Sequence, residues 1–449
     1  MTHVVDRESA IHRRPEDLLR DLIRFDTTNP PGNERECISY IDRLLTDAGL
    51  ETTIREREPE RPNLVARLVG AGNAPPVLVY GHVDVVTTEG QHWTHPPFEG
   101  KLVDGWIWGR GALDMKGGIA MMLAALLRAA DDTSPPPGDV IFCALADEEA
   151  FGGYGARFMV NQHADLFAGV KHAIGEFGGF AIEFGSRRFY PIQVAEKQLC
   201  TLKIRMRGPG GHGALPVHGG AMAQLARALD RLDRRRLPTH VTPVVRDMCR
   251  AIGKESSLPI RLALRLLLMP PFTNQLLNLL GTRGHELDPL LHNTVSPTMV
   301  RASDKVNVIP SEVTLICDGR LLPGFGPDDL IAELAAKLPK DVEIDVFQHD
   351  PGPATADMGY FETLAGVLSE LDPDGTPIPL LMAGVTDARF FAQLGIQTYG
   401  FTPMNLPPGF NFWSTVHGAD ERVPAKALEF GTTAIHRAMQ RSGEVQSRA

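Results

Sequence analysis

Hydrophobic positions in the first part of the chain recur at two periods, one typical of helices and one of buried strands. Residues 15–25 carry leucines at helical spacing behind a proline that suits a first turn. Apolar runs at 63–68, 76–80 and 140–146 have the length of strands, and a helix rich in Met, Leu and Ala is predicted at 117–130. Strand, helix and strand in this order predict an α/β sheet with parallel members and right-handed crossovers.

After about residue 194 the pattern changes to that of a small βαββαβ unit. Its strands and helices are predicted at 199–207, 222–232, 294–300, 311–317, 328–338 and 342–347. A helical extension rich in Pro and Leu, near 234–293, interrupts this unit, and from 350 onward the α/β rhythm returns. We therefore expect an α/β catalytic domain formed by 1–193 and 350–449, with a ferredoxin-like βαββαβ domain inserted at 194–349.

Composition and charge narrow the class of protein. The chain has 449 residues, of which 43% are hydrophobic and 22% charged, as expected for a soluble globular protein of two domains. The formal net charge of −10 argues against nucleic acid as a partner. The most apolar stretch, 262–280, is interrupted by Arg265, two prolines and Asn274, so it predicts a packed helical pair and no membrane partner.

Cysteine usage and the N-terminus bear on the compartment. The five cysteines contain no CxxC pair, which predicts neither a disulfide framework nor a structural zinc knot and fits a reducing cytoplasm. The first 22 residues turn charged at once and lack the apolar core of a signal peptide. We expect a cytoplasmic protein.

Polar residues with catalytic potential follow the predicted strands. The strand ending at Gly81 runs into His82 and Asp84, and residues two apart on a strand face the same side, so Asp84 can sit behind the imidazole of His82. The carboxyl ends of parallel strands are where open α/β sheets build their sites. A glycine-rich segment, 109–118, then presents one isolated carboxylate, Asp114, before a helix.

Three further elements add acids and a histidine. The apolar strand at 140–146 ends in Asp147, Glu148 and Glu149, and consecutive acids there are costly unless cations or hydrogen bonds compensate them. The run 172–175 ends in Glu176, and His417 stands among turn residues near the C-terminus. Imidazole and carboxylate donors suit zinc and related divalent ions.

Taken together and in this order, these motifs resemble one family. GHVDVV, GRGALDMKGG, ADEE, IGEFGG and HGADERV are similar to those of acetylornithine deacetylase, succinyl-diaminopimelate desuccinylase, aminoacylase and glutamate carboxypeptidase. The resemblance runs from about Leu18 to Pro424 and implies a zinc-peptidase-like catalytic domain. It implies His82, Asp114 and Glu176 on one ion. It implies Asp114, Glu149 and His417 on the other, Asp84 as the partner of His82, Glu148 as general base and a cis peptide after Asp114.

The inserted domain carries its own matches. The resemblance implies that His212, in GPGGHG, stabilises the oxyanion, in dimeric relatives from the partner subunit, and that Asn307 and Arg320 hold the substrate's carboxylate end. Gly384 and Thr386 match a turn at the rim of the active site. The sequence departs from the family in its extension at 234–293, which would remodel the substrate entrance or the dimer edge.

The function expected from these residues is hydrolysis of an amide or peptide bond beside a free carboxylate. Two divalent ions, zinc or else cobalt or manganese, would activate the water. The substrate would be a dipeptide, a peptide C-terminus or an N-acyl amino acid, and the inserted domain would act as lid and homodimer contact. A non-catalytic metal- or peptide-binding protein of the same fold and a mononuclear enzyme are the alternatives. A phosphate-binding loop is a poor alternative for the glycine-rich segment, because neither GxxxxGK[ST] nor a strand-anchored GxGxxG is present.

Overall fold

The computed structural model describes residues 14–185 and 187–444. The predicted absence of a signal peptide rests largely on residues outside this range. The strands are β1 (Glu51–Glu56), β2 (Pro62–Leu68), β3 (Val77–His82), β4 (Lys101–Val103), β5 (Trp106–Trp108), β6 (Val140–Leu145), β7 (His172–Gly175), β8 (Ile182–Phe184), β9 (Arg187–Glu196), β10 (Gln198–Arg207), β11 (Gly211–His212), β12 (Thr294–Arg301), β13 (Val308–Ile309), β14 (Glu312–Leu321), β15 (Val342–Asp350), β16 (Gly375–Met382), β17 (Gln397–Gly400) and β18 (Arg422–Pro424).

The helices of the described part follow in the same chain order. They are α1 (Pro15–Ile23), α2 (Arg35–Asp47), α3 (Lys116–Asp131), α4 (Ala156–Gln162), α5 (Ala221–Arg234), α6 (Pro243–Glu255), α7 (Leu258–Leu267), α8 (Pro270–Leu280), α9 (Thr282–Leu291), α10 (Pro327–Ala335), α11 (Gly359–Leu371), α12 (Ala388–Phe391), α13 (Phe412–Thr415) and α14 (Ala425–Gln440). Short 3₁₀ turns cover Glu148–Ala150, Ala164–Phe167 and Ala392–Leu394. Among these helices, none combines the length and the apolar character that crossing a bilayer requires.

The chain divides into two compact units. Unit 1 contains the residues up to Val194, then Asp357–Leu380, and those from Thr386 onward. Unit 2 contains Ala195–Ala356 and Leu381–Val385.

A mixed sheet forms the centre of unit 1. Its strand order is β1-β2-β6-β3-β7-β17-β9-β16, with β8 beside β9. Strands β6, β3, β7 and β17 run parallel, whereas β1, β2 and β9 pair antiparallel with their neighbours. Strands β3 and β6 are buried at every position, as expected of continuous apolar strands covered on both faces. Helices α1, α3 and α14 pack on one another.

Unit 2 contains a four-stranded antiparallel sheet of order β12-β14-β10-β15. With α5 after β10 and α10 after β14, this is the strand order of the ferredoxin-like βαββαβ topology. Apolar residues of β10 and β14 pack with those of α5 and α10 to form its core. Helices α6 to α9 form the extension, each packing against the next along the chain.

A buried lysine ties the start of β10 to the end of the extension. Lys197 is 1% exposed, and its Nζ donates to the carbonyl of His292 over 2.9 Å and to Oγ1 of Thr294 over 2.8 Å. Burial lowers the pKa of Lys197 to about 7, and the nearby Arg320 acts in the same direction. The folded chain therefore releases this proton far more readily than the unfolded chain does.

We expect the stability of the protein to rise with pH because of Lys197. From about pH 7 to about pH 10.4, the usual lysine pKa, the unfolded chain keeps the proton that the folded chain has released, so the free energy of unfolding increases over this window. In Lys197→Met this increase should shrink relative to the parent chain, measured as Tm against pH. The exposed Lys340→Met is the control, and an equal slope in all three proteins would contradict the assignment.

Candidate active site

The first polar group of the site lies where strand β3 ends. His82 occupies the last position of this buried strand and is 1% exposed. Its Nδ1 lies 3.0 Å from the backbone carbonyl oxygen of Asp84 and 3.4 Å from a carboxylate oxygen of the same residue. Both oxygens only accept, so Nδ1 carries the proton and Nε2 is the atom left to bind a cation. Asp84 thus lies behind His82, with the carbonyl as the nearer acceptor.

A glycine-rich loop between β5 and α3 presents Asp114. The buried carboxylate of Glu421 accepts three backbone N–H groups of this loop, including that of Asp114 at 3.1 Å. Arg110 pairs with the same carboxylate at 2.6 Å. Glu421 reaches the loop because β18 follows it directly and pairs antiparallel with β5. The peptide bond between Asp114 and Met115 is cis. One buried carboxylate therefore fixes the backbone that carries Asp114.

The acidic pair Glu148 and Glu149 lies in a 3₁₀ turn just after β6. The turn begins at Asp147, whose φ of 69° lies in the left-handed region and bends the chain away from the strand. The carboxylate of Asp84 accepts the N–H groups of Glu148 and Glu149 over 3.1 and 3.2 Å, and the side chain of Asn29 donates to it over 2.8 Å. Asp84 therefore positions this turn as well as the imidazole beside it.

Glu176 and His417 complete the set of predicted ligands. Glu176 directly follows β7, the parallel neighbour of β3, and is 8% exposed. His417 lies between α13 and β18 with a φ of 60°, and its side chain is 48% exposed. One ligand thus comes from the buried sheet edge and the other from an accessible loop.

These five side chains form two clusters that share Asp114. In the first, Nε2 of His82 lies 3.2 Å from Oδ1 of Asp114 and 3.1 Å from Oε2 of Glu176. In the second, Nε2 of His417 lies 3.0 Å from Oδ2 of Asp114 and 3.2 Å from Oε1 of Glu149. Asp114 offers one carboxylate oxygen to each cluster, which is the arrangement of a bridging ligand.

The donor atoms fit divalent cations in spacing and in type. Two ligands that each lie about 2.05 Å from one zinc ion at a tetrahedral angle are about 3.3 Å apart, close to the separations above. The donors are imidazole nitrogens and carboxylate oxygens, which zinc, cobalt and manganese accept. Within the described residues, Oε1 of Glu176 is buried without a hydrogen-bond partner, and a bound cation would satisfy this oxygen.

The carboxylates of the site repel one another. Hydrogen bonds that His417 donates to the carboxylates of Asp114 and Glu149 raise the pKa of its imidazole to about 10. Burial raises the pKa of Glu149 to about 7, and burial together with the charge of Glu176 holds the pKa of Glu148 well above its usual range. Burial and the neighbouring negative charges thus disfavour ionisation of these carboxyl groups, and divalent cations would reduce the repulsion between them.

A buried ion network behind the turn was missed by the sequence analysis. Nη2 of Arg61 lies 2.8 Å from carboxylate oxygens of both Glu34 and Asp147, and all three side chains are at most 8% exposed. Asn29 also donates to Asp147 over 3.1 Å. The network holds the residue at which the chain turns into Glu148. No local signal in the sequence links Glu34, Arg61 and Asp147, because their partners lie far apart along the chain.

Another buried acid, Asp387, lies in the predicted rim turn. It is 1% exposed, and burial raises its pKa to about 8. The turn itself divides between the units: Gly384 belongs to unit 2 and Thr386 to unit 1. In unit 1, Oγ1 of Thr386 accepts the N–H of Ala388 over 3.1 Å, which stabilises the start of α12. The roles of Gly384 and Thr386 in substrate binding remain predictions.

The remaining predicted residues lie in unit 2. His212 is on β11, which pairs with β13, and the N–H of Gly213 donates to the carbonyl of Asn307 over 2.8 Å. His212, Asn307 and Arg301 line an open groove of about 930 Å³. Arg320 is engaged in two hydrogen bonds with Asp318, at 2.7 and 3.0 Å, and does not line this groove. The structure therefore brings His212 and Asn307 together, and Arg320 lies apart from them.

Comparison with known proteins identifies the family. The chain belongs to peptidase family M20/M25/M40, whose model matches residues 78–441, so the resemblance found in the motifs is confirmed. Probable carboxypeptidase S-like 2 of Dictyostelium discoideum is 30% identical over 369 residues, 78% of this chain and 68% of that protein. The N-fatty-acyl-amino acid synthase/hydrolase PM20D1 of Xenopus tropicalis is 28% identical over 441 residues, 92% of this chain and 83% of that protein.

Other similar proteins agree with this placement. Succinyl-diaminopimelate desuccinylase of Paracoccus denitrificans is 36% identical over 204 residues, 45% of this chain and 51% of that protein. Among solved structures, the M20 metallo-carboxypeptidase Sso-CP2 of Sulfolobus solfataricus superposes with a TM-score of 0.66 at 16% identity, covering 94% of this chain and 97% of that one. Human carnosine dipeptidase 1 gives 0.65 at 16% identity, covering 99% and 98%. These likenesses confirm the predicted α/β fold class.

We expect Arg61→Met to destabilise the protein strongly. The substitution leaves the carboxylates of Glu34 and Asp147 buried without their cation, which costs about 3–5 kcal/mol when one partner of a buried pair is removed. Urea unfolding measures the loss. Arg35→Met is the matched control, since Arg35 pairs with Glu56 at the surface and should cost at most about 1 kcal/mol. Equal losses in both variants would contradict a special role for the buried network.

Proposed function

We propose that this chain hydrolyses the amide bond of a peptide or an N-acyl amino acid, beside a free carboxylate, with two divalent cations held by unit 1. The observation that carries the proposal is the position of Asp114, which offers one oxygen to each of two clusters of possible ligands. The relatives named for carboxypeptidase, N-acyl-amino-acid hydrolase and desuccinylase activity support the class of reaction. Their shared substrate feature is an amide near a carboxylate.

The residues of unit 1 divide the chemistry among themselves. His82, Asp114 and Glu176 would hold one cation, and Asp114, Glu149 and His417 the other. When bound, two such ions polarise the amide carbonyl and lower the pKa of bound water toward neutrality. We propose that both ions are zinc. Cobalt and manganese are the alternatives, because they also bind imidazole nitrogens and carboxylate oxygens.

Glu148 is the proton carrier in this proposal. It directly precedes Glu149 and belongs to neither ligand cluster, so its carboxylate can accept a proton beside the two cations. Glu148 would take a proton from the attacking water and deliver it to the leaving nitrogen as the amide bond breaks. Asp84 would keep Glu148 in place through the backbone of the turn, and it would keep His82 in the tautomer that binds a cation.

Hydrolysis assays test the proposal directly. Metal-stripped protein would be offered dipeptides and N-acetyl, N-succinyl and long-chain N-acyl amino acids, with and without added zinc. We expect cleavage that depends on zinc, and the best substrate then distinguishes peptidase from deacylase. Two bound ions without cleavage of any substrate would instead favour a non-catalytic binding protein, and no bound ion would contradict the proposal at its base.

We expect Glu148→Gln to lower kcat by about 10²-fold or more, because the amide cannot accept the proton of the water. The variant should still bind two ions per chain, since Glu148 belongs to neither ligand cluster. Glu58→Gln, an exposed substitution in the same unit, is the matched control and should leave kcat unchanged. Full activity of Glu148→Gln would remove this residue from the mechanism.

Metal content distinguishes the two clusters. We expect His82→Ala and His417→Ala each to bind close to one ion per chain, because each variant loses a ligand of only one cluster. Asp114→Ala should weaken binding of both ions, since it serves both clusters. Elemental analysis after dialysis measures the stoichiometry, with the exposed His92→Ala as control. Loss of both ions in either histidine variant would mean that the clusters do not bind independently.

A further inference from the structure

Helices α7 and α8 of unit 2 expose large apolar side chains. On α7, Leu258 and Leu262 lie one turn apart and are 75% and 56% exposed. On α8, Phe272 and Leu279 lie two turns apart and are 48% and 82% exposed. The two helices pack against each other. Large exposed apolar groups that occur together on a soluble protein mark an interaction site more often than chance placement.

The same helices carry positive charge in a chain that is acidic overall. From residue 256 to residue 285 the sequence contains no Asp or Glu, in a protein of net charge −10. The arginines of this stretch are Arg261, Arg265 and Arg283. The preceding helix, α6, adds a row of exposed basic residues one turn apart, Arg246, Arg250 and Lys254. Asp247 offsets part of this charge through an ion pair of 3.4 Å with Arg250.

We propose that α6, α7 and α8 dock unit 2 on an anionic lipid surface. The proposed contact surface, the apolar-basic face, comprises the exposed residues Leu258, Leu262, Phe272, Leu279, Arg250 and Lys254. Apolar side chains of interfacial helices enter the boundary between headgroups and acyl chains, while basic residues beside them attract anionic headgroups. One occupant, an anionic lipid layer, satisfies both halves of the apolar-basic face.

Other occupants match only one half of this face. A nucleic acid would pair with the basic residues but would leave Leu258 and Leu279 against water. A second copy of this chain, docked through the same face, would bury the leucines but would bring like charges together. The proposed docking is peripheral, and it replaces the sequence-based expectation of no membrane partner. It does not depend on the proposed hydrolase activity.

Vesicle flotation with the full chain tests the proposal. The probes are vesicles of phosphatidylcholine alone and of phosphatidylcholine with phosphatidylserine. We expect binding to the anionic vesicles, weaker binding as salt increases, and at least about tenfold weaker binding to the neutral vesicles. Absence of binding to the anionic vesicles by folded protein at low salt would overturn the proposal.

Substitutions locate the contact. Leu258→Ser with Leu279→Ser should weaken binding to anionic vesicles by about tenfold or more, because these side chains are the most exposed apolar groups of the face. Arg250→Glu with Lys254→Glu should weaken it similarly and reduce its salt dependence. Val69→Ser with Leu102→Ser, and Arg43→Glu with Lys101→Glu, are the matched controls on exposed positions of unit 1.

The variants also separate the rival explanations. All of them should keep the Tm and the sedimentation coefficient of the parent chain, since the substituted side chains are exposed. Equal loss of vesicle binding in the control variants would overturn the proposal. So would a parent dimer, measured without vesicles, that dissociates in Leu258→Ser with Leu279→Ser, because the face would then be a contact between copies of this chain.

Discussion

Repulsion among buried and half-buried carboxylates is the dominant electrostatic interaction of the candidate site in unit 1. Three of these carboxylates, those of Asp84, Glu149 and Glu176, come shortly after the carboxyl ends of β3, β6 and β7. The fourth, that of Asp114, comes from the loop between β5 and α3. The two histidines supply at most two positive charges. The pKa of His417 is raised because its imidazolium is hydrogen-bonded to the negatively charged Asp114 and Glu149. Divalent cations bound there, as proposed, would offset this repulsion in a compact form. The same constraint gives the site its proposed chemistry.

Buried polar groups outside the two clusters of possible ligands form hydrogen bonds with the main chain. Glu421 fixes the loop of Asp114 through three N–H groups, and Asp84 fixes the turn of Glu148 and Glu149 through two. Arg61 neutralises the residue at which that turn begins. Because these hydrogen bonds fix the backbone, they also fix the positions of the possible ligand side chains that the backbone carries. The arrangement requires several buried charges, which must remain paired.

Much of the fold could be predicted because apolar runs and helical spacing are local signals. Strands β3 and β6 and the four strands of the ferredoxin-like sheet lie at or near their predicted positions. Strand β9 was missed, since Pro191 interrupts its apolar run and proline within a run argues against a strand. The five possible ligands could be found from ordered motifs, whereas the pairing of Arg61 with Glu34 depends on tertiary contact. Glu421 belongs to the motif HGADERV, but its hydrogen bonds to a loop over 300 residues away cannot be predicted from the spacing of residues in the sequence.

Diffraction shows directly whether Asp114 contacts two cations, as we propose. Crystals of zinc-loaded protein, measured on both sides of the zinc absorption edge, locate each ion independently of the protein atoms. If both clusters bind a cation, we expect two anomalous peaks about 3.5–4 Å apart, one beside His82 and Glu176 and the other beside Glu149 and His417, with one oxygen of Asp114 toward each. A single peak, or two peaks that do not share Asp114, would contradict it.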